Sequence, residues 1–119
     1  MIVAGFGFRK SAKVDSLQDA LSQWGASADR LASVTDKANT DVMQELGARL
    51  RLPVHAVDPE LLRSQTPHTE SAAAQKAFGT GSVAEAAALA AAGPGARLLG
   101  PRTISSDGMA TCALATGDT

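Results

Sequence analysis

Residues 1–6 form a short unbroken apolar run ending in Gly5-Phe6-Gly7, the pattern of a buried strand that enters a tight turn. Beyond Arg9 and Lys10 the period changes. Val14, Leu17, Leu21 and Trp24 share one helical face, with Ser11 as N-cap and Gly25 where the chain leaves the helix. A second strand is expected over residues 30–34, followed by the polar link Thr35-Asp36-Lys37. Asn39 or Thr40 then caps a helix that buries Val42, Met43, Leu46 and Leu50. Residues 53–57 give a third strand, and Asp58-Pro59 supplies the N-cap and first position of a short helix to Arg63.

Residues 64–75 are polar, hold Pro67 and His68, and carry no period. They are read as a surface connection that turns helical near residues 71–77, with folding over a bound ligand as the alternative. The organising stretch follows at residues 78–93, FGTGSVAEAAALAAAG. Ser82 and Glu85 have the spacing of a capping box, so a helix is expected to start at Val83, and Gly93-Pro94 stops it. Seven alanines and Leu89 favour the helix and keep it slim, so a neighbouring layer can approach its backbone closely. Gly79 and Gly81 would let the turn before it approach a ligand, with the helix N-terminus favouring an anion there.

Residues 96–99 make a fourth strand that Pro101 either marks as an edge or ends. Ile104 and Met109 flank a hairpin turn at Asp107-Gly108, which places a fifth strand at residues 109–115 antiparallel to its neighbour, and residues 117–119 are expected to fray. Helices alternating with strands before a terminal hairpin predict a three-layer α/β/α sandwich with a mixed, mostly parallel five-stranded sheet and a C-terminal antiparallel hairpin.

Composition narrows the function. At 119 residues a single domain is expected, and the core must be aliphatic, because the aromatics are three Phe and one Trp. So few stacking platforms, with a net charge of −1, argue against nucleic-acid binding and against an acidic membrane surface. Cys112 is the lone cysteine, read as a small buried strand residue. His55 and His68 lack ligand spacing, so no metal and no cofactor is expected. The first apolar run is too short for a secretion signal and no stretch has the length of a membrane span; a soluble cytoplasmic protein is expected.

Several segments together carry a family resemblance: Gly5 to Lys10 as GFGFRK, Thr35 to Lys37, Gly79 to Leu89 as GTGSVAEAAAL, Leu98 to Arg102 as LLGPR, and Ala110 to Ala113 as ATCA. The chain resembles the CobE/CbiG C-terminal domain family of cobalamin biosynthesis along nearly its whole length. The resemblance implies a tetrapyrrole ligand, a precorrin or hydrogenobyrinic-acid-like intermediate, and contact with other enzymes of the pathway. In the longer members this domain follows others in a protein that opens the lactone of cobalt-precorrin-5A and releases acetaldehyde. The likeness here is to the stand-alone form, which leaves that hydrolysis without the other domains. Phe8 stands where many relatives have cysteine, so no role passes to a thiol there.

A macrocycle edged with carboxylates needs spread anion sites and a flat apolar surface. Gly5, Gly7, Arg9, Lys10 and Lys37, with Gly79, Thr80, Gly81 and Ser82, are the ligand-binding candidates, expected to converge at the carboxyl ends of the parallel strands. No GxSxG or other nucleophile motif occurs, so a lactone hydrolase has only Glu85 or Asp36 as bases to activate water. Carrier or accessory binding is therefore the first reading and hydrolysis the second. A small dinucleotide-binding domain is the third, weakened because Lys10 replaces the last glycine of GxGxxG.

Overall fold

A computed structural model describes residues 1–117. Six strands form one sheet: β1 (Ile2–Phe8), β2 (Arg30–Val34), β3 (Val54–Val57), β4 (Arg97–Leu98), β5 (Thr103–Ile104) and β6 (Ala110–Thr116). The order is β3-β2-β1-β6-β4, with β5 also paired to β6. β1, β2 and β3 pair in parallel, and β6 is antiparallel to β1, β4 and β5, so β6 alone runs against the other five. The expected mixed, mostly parallel sheet is present with one strand more, because the chain on both sides of Pro101 pairs with β6 in two-residue strands.

The helices are α1 (Val14–Ser22), α2 (Thr35–Ala38), α3 (Asp41–Leu50), α4 (Pro59–Arg63), α5 (Ala72–Phe78) and α6 (Val83–Ala92). On one face Phe6, Leu31, Cys112 and Leu114 pack with Leu17 of α1 and with Met43 and Leu46 of α3. On the other, Val3, Ala32, Val34, Val57 and Ala115 pack with α6 and Leu62 of α4. These are the three layers. No helix of the described residues is long and apolar enough to cross a membrane.

Four sequence readings change. Gly5-Phe6-Gly7 makes no turn: both glycines lie inside β1 and on its α6 face. A Cβ on Gly5 would stand 2.1 Å from the Ala84 carbonyl oxygen and 2.6 Å from the Ala88 nitrogen, so the glycine sets how closely the alanine helix can lie. Ser11 caps nothing. Lys13 holds the N-cap position of α1, and its backbone N–H donates to Ser16 Oγ at 3.2 Å. The polar link at Thr35 coils into α2, whose C-cap is Asn39, and this leaves Thr40 to cap α3 by accepting from the Met43 N–H at 3.4 Å. Gly117 is tied down, its N–H donating to Met1 O at 3.2 Å, while residues 118 and 119 of the expected frayed end lie outside the described residues.

The hairpin turn is locked to α1. Asp107 accepts from Ser105 Oγ and Ser16 Oγ, both at 2.6 Å, and from the Met109 N–H at 3.0 Å. Those donors, the Ser105 hydroxyl first, hold the Asp107 carboxyl down to about 2. A carboxyl whose pKa is lower folded than unfolded adds stability above its unfolded value, about 3.9, and loses it as pH falls through the folded one. The stability gap between wild type and Asp107→Asn is therefore expected to be widest above about pH 4 and to narrow toward about pH 2. Denaturant titrations across that range check this, and a gap independent of pH would exclude it.

Candidate functional site

Because β1 and β2 are parallel neighbours, the residues that follow them emerge side by side at one edge of the sheet, where α/β folds gather ligands. β6 runs the other way, and its first residue, Ala110, lies opposite Phe8. The β5–β6 hairpin therefore rises at the same edge. Across from it stands α5, capped by Ser71, whose Oγ accepts from the Ala74 N–H at 3.3 Å. α5 has no fully buried residue and packs on the core through Phe78.

Between these elements lies a cavity of about 500 Å³. Its apolar lining comes from Phe8, Ala74, Ala77, Phe78, Val83, Ile104 and Met109, and its cations are Arg9, Lys37 and Arg102. No Asp or Glu is among the described lining residues. A cavity bordered by cations and two phenyl rings suits an amphipathic ligand that carries carboxylates.

Lys37 is held most tightly of the three. Its Nζ donates to the Phe8 carbonyl oxygen and stands 4.9 Å from the centre of the Phe8 ring and 5.2 Å from that of Phe78. Burial pulls the ammonium below the ordinary lysine range, and the nearby charge of Asp36 acts in the opposite direction. Phe78 comes from α5 and Phe8 from β1, so the ammonium bridges the helix to the sheet by cation–π contact on both sides.

Of the residues singled out from sequence, Gly7, Arg9 and Lys37 line the cavity. Gly5 lies under α6, and Lys10 and Asp36 are exposed outside the lining. The glycine turn does not face the cavity either. Gly79 ends α5 in the left-handed region at φ 71°, and a Cβ on Gly81 would meet the Thr69 carbonyl oxygen at 2.4 Å and a Glu70 carboxylate oxygen at 2.5 Å. Its missing side chain admits the neighbouring loop, and α6 reaches the cavity through Val83. Thr80 is buried with its hydroxyl unpartnered among the described residues, and Ser82 Oγ accepts from the Glu85 N–H at 3.2 Å as the expected cap.

Glu85 does not complete the capping box. Its side chain is fully buried and accepts from the Thr69 N–H, the Thr69 hydroxyl and the Arg102 N–H, each at 2.7 Å. It fastens the connection before α5 and the segment before β5 to the same point of α6, and each segment gives the cavity one lining residue, Ser71 and Arg102. Cys112 is buried in β6, where burial pushes its thiol well above the usual range.

Sequence reasoning missed Phe8, Phe78 and Arg102 as site residues. The signals available were an aromatic directly before Arg9, another directly before the glycine turn, and a cation directly after a strand-breaking proline.

Residues 2–115 match the family model described as cobalamin synthesis G C-terminus. Two solved structures superpose closely. CobE, a protein from the cobalamin (vitamin B12) biosynthetic pathway, matches with a TM-score of 0.83 at 34% identity, over 97% of this chain and 89% of that one. The cobalamin biosynthesis protein chiG from Agrobacterium tumefaciens str. C58 matches with a TM-score of 0.76 at 34% identity, over the whole of both chains. No curated protein sequence matches with significance.

Proposed function

The chain belongs to the cobalamin synthesis G C-terminus family, and from that premise we propose that it binds a carboxylated tetrapyrrole intermediate in the cavity beside Lys37. It acts as carrier or accessory to ring contraction or lactone opening and passes its ligand to other enzymes of the pathway. The observation that carries this reading is the lining itself: Arg9, Lys37 and Arg102, with no acidic residue among the described lining residues, around the rings of Phe8 and Phe78. The cations meet carboxylates, Arg in bidentate fashion, and the rings offer flat apolar faces. About 500 Å³ takes part of a macrocycle, so the ligand sits with one edge inserted and the rest in the open mouth.

Hydrolysis finds less support. Both oxygens of Glu85 are occupied by hydrogen-bond donors in the protein interior, and Asp36 is outside the lining, so neither of these two candidates favours activating water in the cavity.

Absorbance titration with a purified ring-contracted corrinoid acid tests the reading, since the ligand carries its own chromophore. Wild type is expected to give a stoichiometric, saturable spectral shift without sustained acetaldehyde release from a lactone-bearing precursor. Lys37→Ala is expected to bind about tenfold more weakly or worse, the loss of one charge-assisted hydrogen bond. Its stability should move by no more than about 1 kcal/mol, because the cation–π attraction it gives up is offset by no longer burying an ammonium. Unchanged affinity in the folded variant would remove this cavity from the site, and continuous acetaldehyde release would make the protein a hydrolase.

A further inference from the structure

A second cavity, of about 410 Å³, shares no lining residue with the first. The chain passes from one to the other at Glu85. Ser64, Gln65, Thr66 and His68 border the second cavity, Thr69 is bound to Glu85, and Ser71, Ala74 and Phe78 border the first. Opposite, Arg97 and Leu98 border the second, Arg102 N–H is bound to Glu85, and Arg102 and Ile104 border the first.

The second lining is of a different kind. It has an aliphatic patch of Leu89, Ala96 and Leu98, and above it the donor-bearing side chains of Thr66, His68 and Arg97. Two further polar lining residues are already committed. Ser64 Oγ donates to Leu61 O at 2.7 Å, and Gln65 Nε2 donates to the same oxygen at 3.1 Å. Thr66, His68 and Arg97 make no side-chain hydrogen bond among the described residues, and no Asp or Glu is among the described lining residues. The loop that carries Thr66 and His68 is held at both ends, by the Gln65 N–H on Leu62 O at 3.2 Å and by Thr69 on Glu85. Thr66, His68 and Arg97 are exposed, so hydroxyl, imidazole and guanidinium donors border one opening on a loop whose backbone is held on both sides, a set that suits an oxyanion.

We infer that this second cavity is a separate oxyanion-binding site, with Arg97, His68 and Thr66 as its donors and a carboxylate or a phosphate as its ligand. The inference goes beyond macrocycle binding and does not depend on it, since none of these residues touches the first cavity.

The chain's two histidines make the test selective. His68 borders the cavity, whereas His55 is exposed on β3, the sheet edge farthest from β4. Imidazole chemical shifts are followed by NMR on the full chain while inorganic phosphate or succinate is added at fixed pH and ionic strength. His68 is expected to shift saturably at millimolar concentrations while His55 does not. Arg97→Gln is expected to weaken that response about tenfold, and Lys37→Ala to leave it unchanged. Saturation by phosphate alone assigns a phosphoryl ligand; saturation by succinate, alone or with phosphate, assigns a carboxylate. Parallel drift of both histidines, no saturation by either anion, an undiminished response in Arg97→Gln, or loss of the response in Lys37→Ala would each overturn the site.

Discussion

Gly5→Ala is expected to destabilise the protein by about 3 kcal/mol or more, a fall in Tm of about 10 °C or more for a chain of this size. The added methyl would stand 2.1 Å from Ala84 O, 2.6 Å from Ala88 N and 2.9 Å from Ala88 Cβ. Two of those atoms are helix backbone, so no rotamer change relieves the overlap. α6 would have to lift from the strand over which it is centred, and residues 83–89, all buried, would lose their packing together. Gly100→Ala is the matched control, because its nearest neighbour would be the edge of Trp24 at 3.5 Å, ordinary van der Waals contact. Denaturant unfolding of the two variants checks the expectation. A Gly5→Ala protein within about 0.5 kcal/mol of wild type would mean that β1 and α6 are not this close.

Truncating Glu85 is expected to have the second large effect. Glu85→Ala leaves three donors inside the protein without an acceptor, the two of Thr69 and the Arg102 N–H, at a cost of about 3 kcal/mol. Glu85→Gln keeps the shape but not the acceptor pattern. The Thr69 N–H points at one oxygen and the Arg102 N–H at the other, so either orientation of the amide sets its NH2 against a backbone donor. A loss of about 2 kcal/mol is expected, with faster hydrogen exchange at the Thr69 and Arg102 amides. Protection of both amides equal to wild type in Glu85→Gln would show that the carboxylate does not hold the two segments. Loss of stability with ligand affinity retained would separate this bracing from any direct part in binding.

The function-bearing surface is thus spread over segments that only the fold unites. Phe8 ends β1 and Arg9 follows it, Lys37 comes from α2, Phe78 from α5 and Arg102 from the link before β5. Their sequence separations run to nearly the length of the chain, and each segment alone is an ordinary stretch with a cation or a ring in it.

Local signals determined much of the rest. The helix starts at Val83 because Ser82 caps it, α4 starts at Pro59 because Asp58 does, and the alternation of short apolar runs with helical faces is enough for a three-layer α/β protein. Arg9, Gly7 and Lys37 could be placed at the site because the ends of parallel strands converge in any such sheet. What the sequence could not settle is which neighbour each small residue serves. Gly5 and Gly81 read alike as glycines of a ligand-facing turn, yet one admits a helix and the other a loop, since a missing Cβ records only that something comes close. Glu85 likewise had the spacing of a capping box, but its carboxylate turned to donors 16 and 17 residues away in sequence, a choice that burial under two crossing segments imposed. Capping and periodicity are decided within a few residues of backbone and so are written locally; cavities, braces and close approaches depend on distances between segments, and those exist only once the layers have packed.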